Sequence, residues 1–128
     1  MKHTLLIILA VFSAHAAAAR PDVGLPGCNL DKQHALAGET GGQITDIRQA
    51  HISMRANILS ADISTLRKAL KITQVEADRM SKRVEDVRRQ NNLLVTQQGF
   101  LSAAEKASFD REFDAIAHQL CKQEKLGR

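Results

Sequence analysis

Apolar residues along this chain change their rhythm several times. Leu5 to Phe12 is an unbroken apolar run (LLIILAVF). Residues 20–43 show no period and hold both prolines and five of the seven glycines, which predicts an irregular arm. From Ile44 a helical period sets in, with Ile44, Ile47, His51, Met54 and Ile58 recurring at 3, 4, 3, 4 and then Leu59, Ile63, Leu66 and Leu70 at 4, 3, 4. The step from Ile58 to Leu59 leaves two readings open. One long helix lets its stripe drift, or the chain breaks near Ser60-Ala61-Asp62, where Asp62 caps a new start. The next stripe is Ala77, Met80, Val84, Val87, Asn91 and Leu94. Asn91 is a polar intruder of the kind that fixes register between packed helices, and Gly99 suits a left-handed helix terminus. Phe109, Phe113, Ile116 and Leu120, at 4, 3, 4, mark a last helix that stops at Gly127. The pattern predicts an all-α fold over 44–128, a small bundle or extended hairpin of three to four helices, preceded by the arm at 20–43.

Two of these helices begin alike. Ile72-Thr73-Gln74-Val75-Glu76 and Leu101-Ser102-Ala103-Ala104-Glu105 lie 29 residues apart. In each, the hydroxyl of Thr73 or Ser102 is placed to cap the backbone N–H three residues on. Glu76 or Glu105 is placed to reach back to the cap's own N–H. The register continues downstream: Met80 matches Phe109, Val84 matches Phe113 and Val87 matches Ile116. One such cap marks a helix start and little else; two at a fixed offset, with matching core positions behind them, read as a duplicated unit.

Composition narrows the class. At 128 residues, with 3% aromatic residues and no Trp or Tyr, the chain has room for one small domain and not for a large enzyme core. The start is a sorting signal: Lys2 and His3, the apolar run, then Ala17-Ala18-Ala19, with cleavage expected after Ala19 and a periplasmic or secreted product. The run is too short to span a bilayer. In that compartment Cys28 and Cys121 read as one disulfide pinning the arm to the body. The competing reading takes Leu25-Pro26-Gly27-Cys28 as a lipid attachment box.

Candidate chemistry is sparse. No phosphate loop, nucleophile elbow or metalloprotease motif is present, so no catalytic residue, cofactor or metal is expected and the protein reads as a non-enzyme. His34, His51 and His118 lack ligand spacing, and Met54 and Met80 read as core. Gly99-x-Leu101-Ser102-x-x-Glu105 reproduces the second half of a calcium-binding loop, but Leu94, Thr96 and Gln98 stand where the first ligands belong. Asp110, Glu112 and Asp114 alternate with Arg111 and read as a solvated face. The strongest charge feature runs from Arg67 to Arg89, with eight cations and four acids. Asp78–Lys82 and Glu85–Arg89 are expected as i,i+4 pairs. Arg79, Lys82, Arg83 and Arg89 share one helical face and form the candidate partner-binding site. No aromatic platform accompanies them, which argues against nucleic acid.

The paired helix starts resemble the twice-repeated Leu-Thr-x-x-Gln motif of periplasmic stress chaperones and adaptors of the Spy and CpxP type, with Glu in place of both Gln and Ser in place of one Thr. The resemblance covers residues 60–121. It implies a thin, curved helical dimer that binds unfolded clients or a sensor domain through a basic face. A closed monomeric bundle fits the same apolar pattern. The expectation is therefore an exported, non-enzymatic binding protein of the bacterial cell envelope acting as chaperone, adaptor or inhibitor. The alternative is a ligand or calcium sensor using 99–105.

Overall fold

The computed structural model describes residues 24–126, and the expected sorting signal and its cleavage site lie outside them. After a 3-10 turn at Pro26–Cys28, the chain forms α1 (Leu30–His34), α2 (Ile47–Lys68), α3 (Gln74–Gln98) and α4 (Ala103–Leu126). The arm thus carries a turn and a short helix where the pattern showed no period. The long helices run antiparallel in sequence, and α2 is the middle one: α3 and α4 both pack along it and touch each other far less.

Each long helix starts at a side-chain cap. Thr73 Oγ1 accepts from the Glu76 amide at 3.2 Å while Glu76 Oε2 accepts from the Thr73 amide at 2.7 Å. Ser102 and Glu105 repeat the arrangement at 3.1 and 2.8 Å. Ile72 and Leu101, just outside the two starts, are both buried, so the duplicated unit extends from the caps into the core. A third box opens α2, where Asp46 Oδ1 accepts from the Gln49 amide at 3.0 Å and Gln49 Oε1 accepts from the Asp46 amide at 3.4 Å. Sequence reading passed over this one because Asp and Gln replace the hydroxyl and Glu.

Helix α2 does not break. Its core stripe is Ile52, Ala56, Leu59, Ile63 and Leu66, one continuous 4, 3, 4, 3 series, and the expected slip came from starting the series on the wrong face. Ile47 is exposed, and Met54 and Ile58 are only half-buried. Asp62 caps no helix here; it is buried within α2 and accepts the Gly27 amide of the arm at 2.8 Å. The helix ends where Leu70 takes φ 57°. The Lys71 amide then reaches Leu66 O at 2.9 Å and the Leu70 amide reaches Arg67 O at 3.0 Å, the bonding of a Schellman terminus. Leu70, expected in the core stripe, is turned out to solvent with 79% of its surface exposed. Gly99, at φ 85°, closes α3 in the left-handed conformation the sequence predicted.

The arm is fastened at two places. Near its start Cys28 is bonded to Cys121 of α4, with 5.8 Å between the Cα atoms. That retires the lipid reading, since no thiol is left to carry an acyl chain. Leu25 joins the core beside this bond. Farther along, Gly38 lies on the backbone of α2. A Cβ at Gly38 would sit 2.1 Å from the Ala50 carbonyl carbon, so the contact requires glycine.

Candidate functional site

The four basic residues singled out from the sequence sit on α3, but most are engaged within the chain. Arg83 Nε donates to Glu112 of α4 at 2.7 Å. Lys82 and Arg89 both bond Asp86, at 2.8 and 2.7 Å, and these hydrogen bonds, with Lys82 first, hold the Asp86 carboxyl below its usual range. Arg88 bonds Glu85 at 3.2 Å and Asn57 at 2.9 Å. The expected Asp78–Lys82 and Glu85–Arg89 pairs are not formed: Asp78 accepts from Gln74 instead. On a helix each acid chooses between cations three and four away on either side, and here Asp86 draws two of them. Arg79 is exposed one turn before Arg83 on the same line. Between α3 and α4 runs a groove of about 220 Å³, with Val87 and Phe109 in its floor and Arg83, Asp86, Gln90, Ser108 and Glu112 along its sides.

The segment 99–105 is a tight connection between helices. Glu105 Oε2 is taken by the Ser102 amide at 2.8 Å and by Gln98 Nε2 at 2.7 Å, and the Ser102 amide lowers the carboxyl's proton affinity. Among the described residues no group of three or more His, Cys, Asp or Glu side chains is placed to hold a metal ion.

The largest departure from expectation lies between α2 and α4. Asp110 and Asp114 are not on a solvated face. Arg55, with 0% of its surface exposed, donates through Nη1 to Asp110 Oδ1 at 2.7 Å and through Nη2 to Asp114 Oδ1 at 2.7 Å. Its guanidinium lies 5.6 Å from the Phe113 ring centre, close enough for cation–π attraction. Lys106 Nζ bonds the other oxygen of Asp110 at 2.7 Å. His51 spans the arm and α4: Nε2 faces Asp110 Oδ1 at 2.9 Å and Nδ1 faces Leu36 O at 2.8 Å. Both contacts are hydrogen bonds only when both ring nitrogens carry protons, because a carbonyl and a carboxylate can only accept. His34 of α1 closes the cluster against Asp114 at 2.9 Å.

Burial pushes the Asp110 carboxyl up, but the bonds from His51, Lys106 and Arg55 outweigh that and hold it well below the usual carboxylate range. Both nitrogens of His51 are engaged within the fold, one toward the arm and one toward α4. The cluster ties the arm to the body. The sequence pattern hides this cluster. Arg55 sits three residues after Ile52 and four before Leu59, on the inner side of a helix whose stripe had been started on another face. Asp110 and Asp114, at i,i+4 on α4, were the complementary signal.

The other expected residues are plainly placed. Met80 is fully buried, and His118 is exposed on α4. Asn91 is buried and donates to Gln49 O at 3.2 Å, bonding α3 to α2 as a register device would. No family model, curated protein or solved structure matches this chain.

Proposed function

We propose that the protein is an exported, non-enzymatic binding protein of the bacterial cell envelope that takes an acidic segment of a protein partner along the groove between α3 and α4. The observation that carries this reading is the groove itself, with an apolar floor at Val87 and Phe109 and with Arg83, Asp86 and Glu112 on its sides, next to an α3 surface on which Arg79, Lys82 and Arg89 are exposed. Lys82 and Arg89 share the one carboxylate of Asp86 and Arg79 lies one turn before Arg83, so the α3 surface beside the groove carries surplus positive charge that steers an acidic segment. A disulfide fits an oxidising compartment, and among the described residues no helix is long and apolar enough to cross a membrane. The paired helix starts that resemble those of periplasmic stress chaperones support the same class of function.

Affinity capture from an envelope extract tests it, with the oxidised protein run beside Arg79→Glu/Lys82→Glu/Arg89→Glu. These residues are exposed, and surface pairs of this kind contribute about 0–1 kcal/mol, so the variant should fold. A captured set lost with the variant supports the groove; many unrelated proteins then mark a chaperone and one dominant species an adaptor or inhibitor. Capture of the same proteins by both versions, or of nothing, overturns it.

A further inference from the structure

Helix α4 looks charge-balanced in sequence, with five acids (Glu105, Asp110, Glu112, Asp114, Glu124) against Lys106, Arg111, Lys122 and Lys125. The fold separates the two signs. Glu105 is used in the cap, Asp110 and Asp114 in the Arg55 cluster and Glu112 on Arg83, while Glu124 is buried. None of these five is exposed, whereas Arg111, His118, Lys122 and Lys125 all are. Their spacing of 7, 4 and 3 places them on one line down the helix, with exposed Ala104, Ala107 and Ala115 between or before them. No ion pair within the described residues engages any of the four. At a rise of 1.5 Å per residue the line from Arg111 to Lys125 is about 21 Å long.

We infer that this outer face of α4 is a second interaction surface, separate from the α3–α4 groove, and that it adsorbs the protein to a bilayer rich in anionic phospholipid headgroups. Small exposed side chains, Ala107 and Ala115, flank the basic positions of this face, so the charges can approach a plane without obstruction. A folded protein partner is recognised through a packed apolar centre, whereas the middle of this line is His118 with Ala115 one turn before it. Unequal charge spacing along the line suits headgroups that diffuse to meet each cation. Exposed acids such as Asp31, Glu39, Asp78 and Glu85 lie on other elements, so the helix presents one sign of charge to the surface. Leu126, exposed beside Lys125, is the one large apolar side chain at this end of the line among the described residues, too little to anchor the protein by insertion, so adsorption is chiefly electrostatic and reversible by salt.

Co-sedimentation of the oxidised, secreted protein with phosphatidylglycerol and with phosphatidylcholine vesicles tests the inference. Binding is expected to the first and not the second, and to be lost at high salt. Each cation neutralised should weaken it by about fivefold, from about 1 kcal/mol per basic residue near an anionic surface. Lys122→Gln/Lys125→Gln should therefore weaken binding partially and Arg111→Glu/Lys122→Glu/Lys125→Glu should abolish it, while Lys32→Glu/Lys68→Glu, with the same charge change as a double reversal on the line, should retain it. Thermal melts of the variants should match the parent, since the substituted side chains have no partners to lose. Failure to bind phosphatidylglycerol vesicles overturns the inference, as does equal binding by the triple variant, or binding to soluble polyphosphate but not to vesicles. The groove is untouched by these substitutions, so its capture result stands or falls independently.

Discussion

The two points that hold the arm to the helices work by different physics. Near Gly27 the attachment is covalent, through Cys28–Cys121, and the buried Asp62 beside it accepts a hydrogen bond from the Gly27 amide at 2.8 Å. Near Leu36 it is ionic, with Asp110 receiving Arg55, His51 and Lys106. Two aspartates of similar burial therefore have opposite proton affinities. Burial raises the Asp62 carboxyl, and the Gly27 amide does not offset it while the charge of Glu124 adds to it. Asp110 is lowered despite its burial. Depth alone does not decide the charge state; the number of cationic donors facing the carboxyl does.

Breaking either attachment should reveal the difference. Loss of the disulfide, by reduction or by Cys28→Ser/Cys121→Ser, frees a loop spanning 93 residues and is expected to lower unfolding stability by about 4–5 kcal/mol on loop-closure entropy. Chemical denaturation with and without reductant measures it. Asp110→Ala removes the carboxylate shared by Arg55 Nη1, His51 Nε2 and Lys106 and leaves Asp114 as the remaining carboxylate on Arg55, at an expected cost of about 3–5 kcal/mol. The same substitution should speed amide exchange around Leu36, which the disulfide variant should affect less. Gly38→Ala drives a methyl into the α2 backbone and should cost about 1–3 kcal/mol, read as a lowered thermal midpoint.

Acid separates the two attachments by sign. Asp110 has a depressed folded-state proton affinity, so its contribution is present above the ordinary carboxylate pKa of about 4 and is lost as pH falls below it. Asp62 is shifted the other way, so its contribution is present at low pH and is lost as pH rises through its elevated folded-state value. Asp62→Asn keeps an oxygen for the Gly27 amide and should match or exceed the parent at neutral pH, with the gap closing on acidification. Asp62→Ala should cost about 1–3 kcal/mol at any pH by orphaning that amide. Melting curves for both variants across pH test the contrast; a neutral-pH loss in Asp62→Asn as large as in Asp62→Ala would refute it. The smallest effect is expected at Leu70, whose φ of 57° sits in the left-handed region at a cost of about 1–2 kcal/mol for a side chain there. Leu70→Gly should recover about 1 kcal/mol and leave both attachments intact.

Local signals were legible in the amino-acid pattern. The boxes at Thr73 and Ser102, the left-handed Gly99, the two matched stripes and the cysteine pair all follow from residues within a turn or two of one another, or from a count of two. Asp46 escaped because its box uses less usual residue types. The α2 core face escaped because Ile44, Ile47, His51 and Met54 mimic a stripe, and hydrophobic period alone does not say which of two overlapping series faces a partner.

What the sequence by itself determined is the helical class, the starts of α3 and α4, the stop of α3 at Gly99, and the pairing of Cys28 with Cys121, because capping, periodicity and disulfide arithmetic are short-range or combinatorial facts. Only the tertiary structure decided which charges are used inside and which face outward. Arg55 meets Asp110 across 55 positions of chain and Arg83 meets Glu112 across 29. Those meetings strip α4 of its exposed acids and leave its outer face basic. Charge pairing between helices depends on packing geometry, which no single helix encodes.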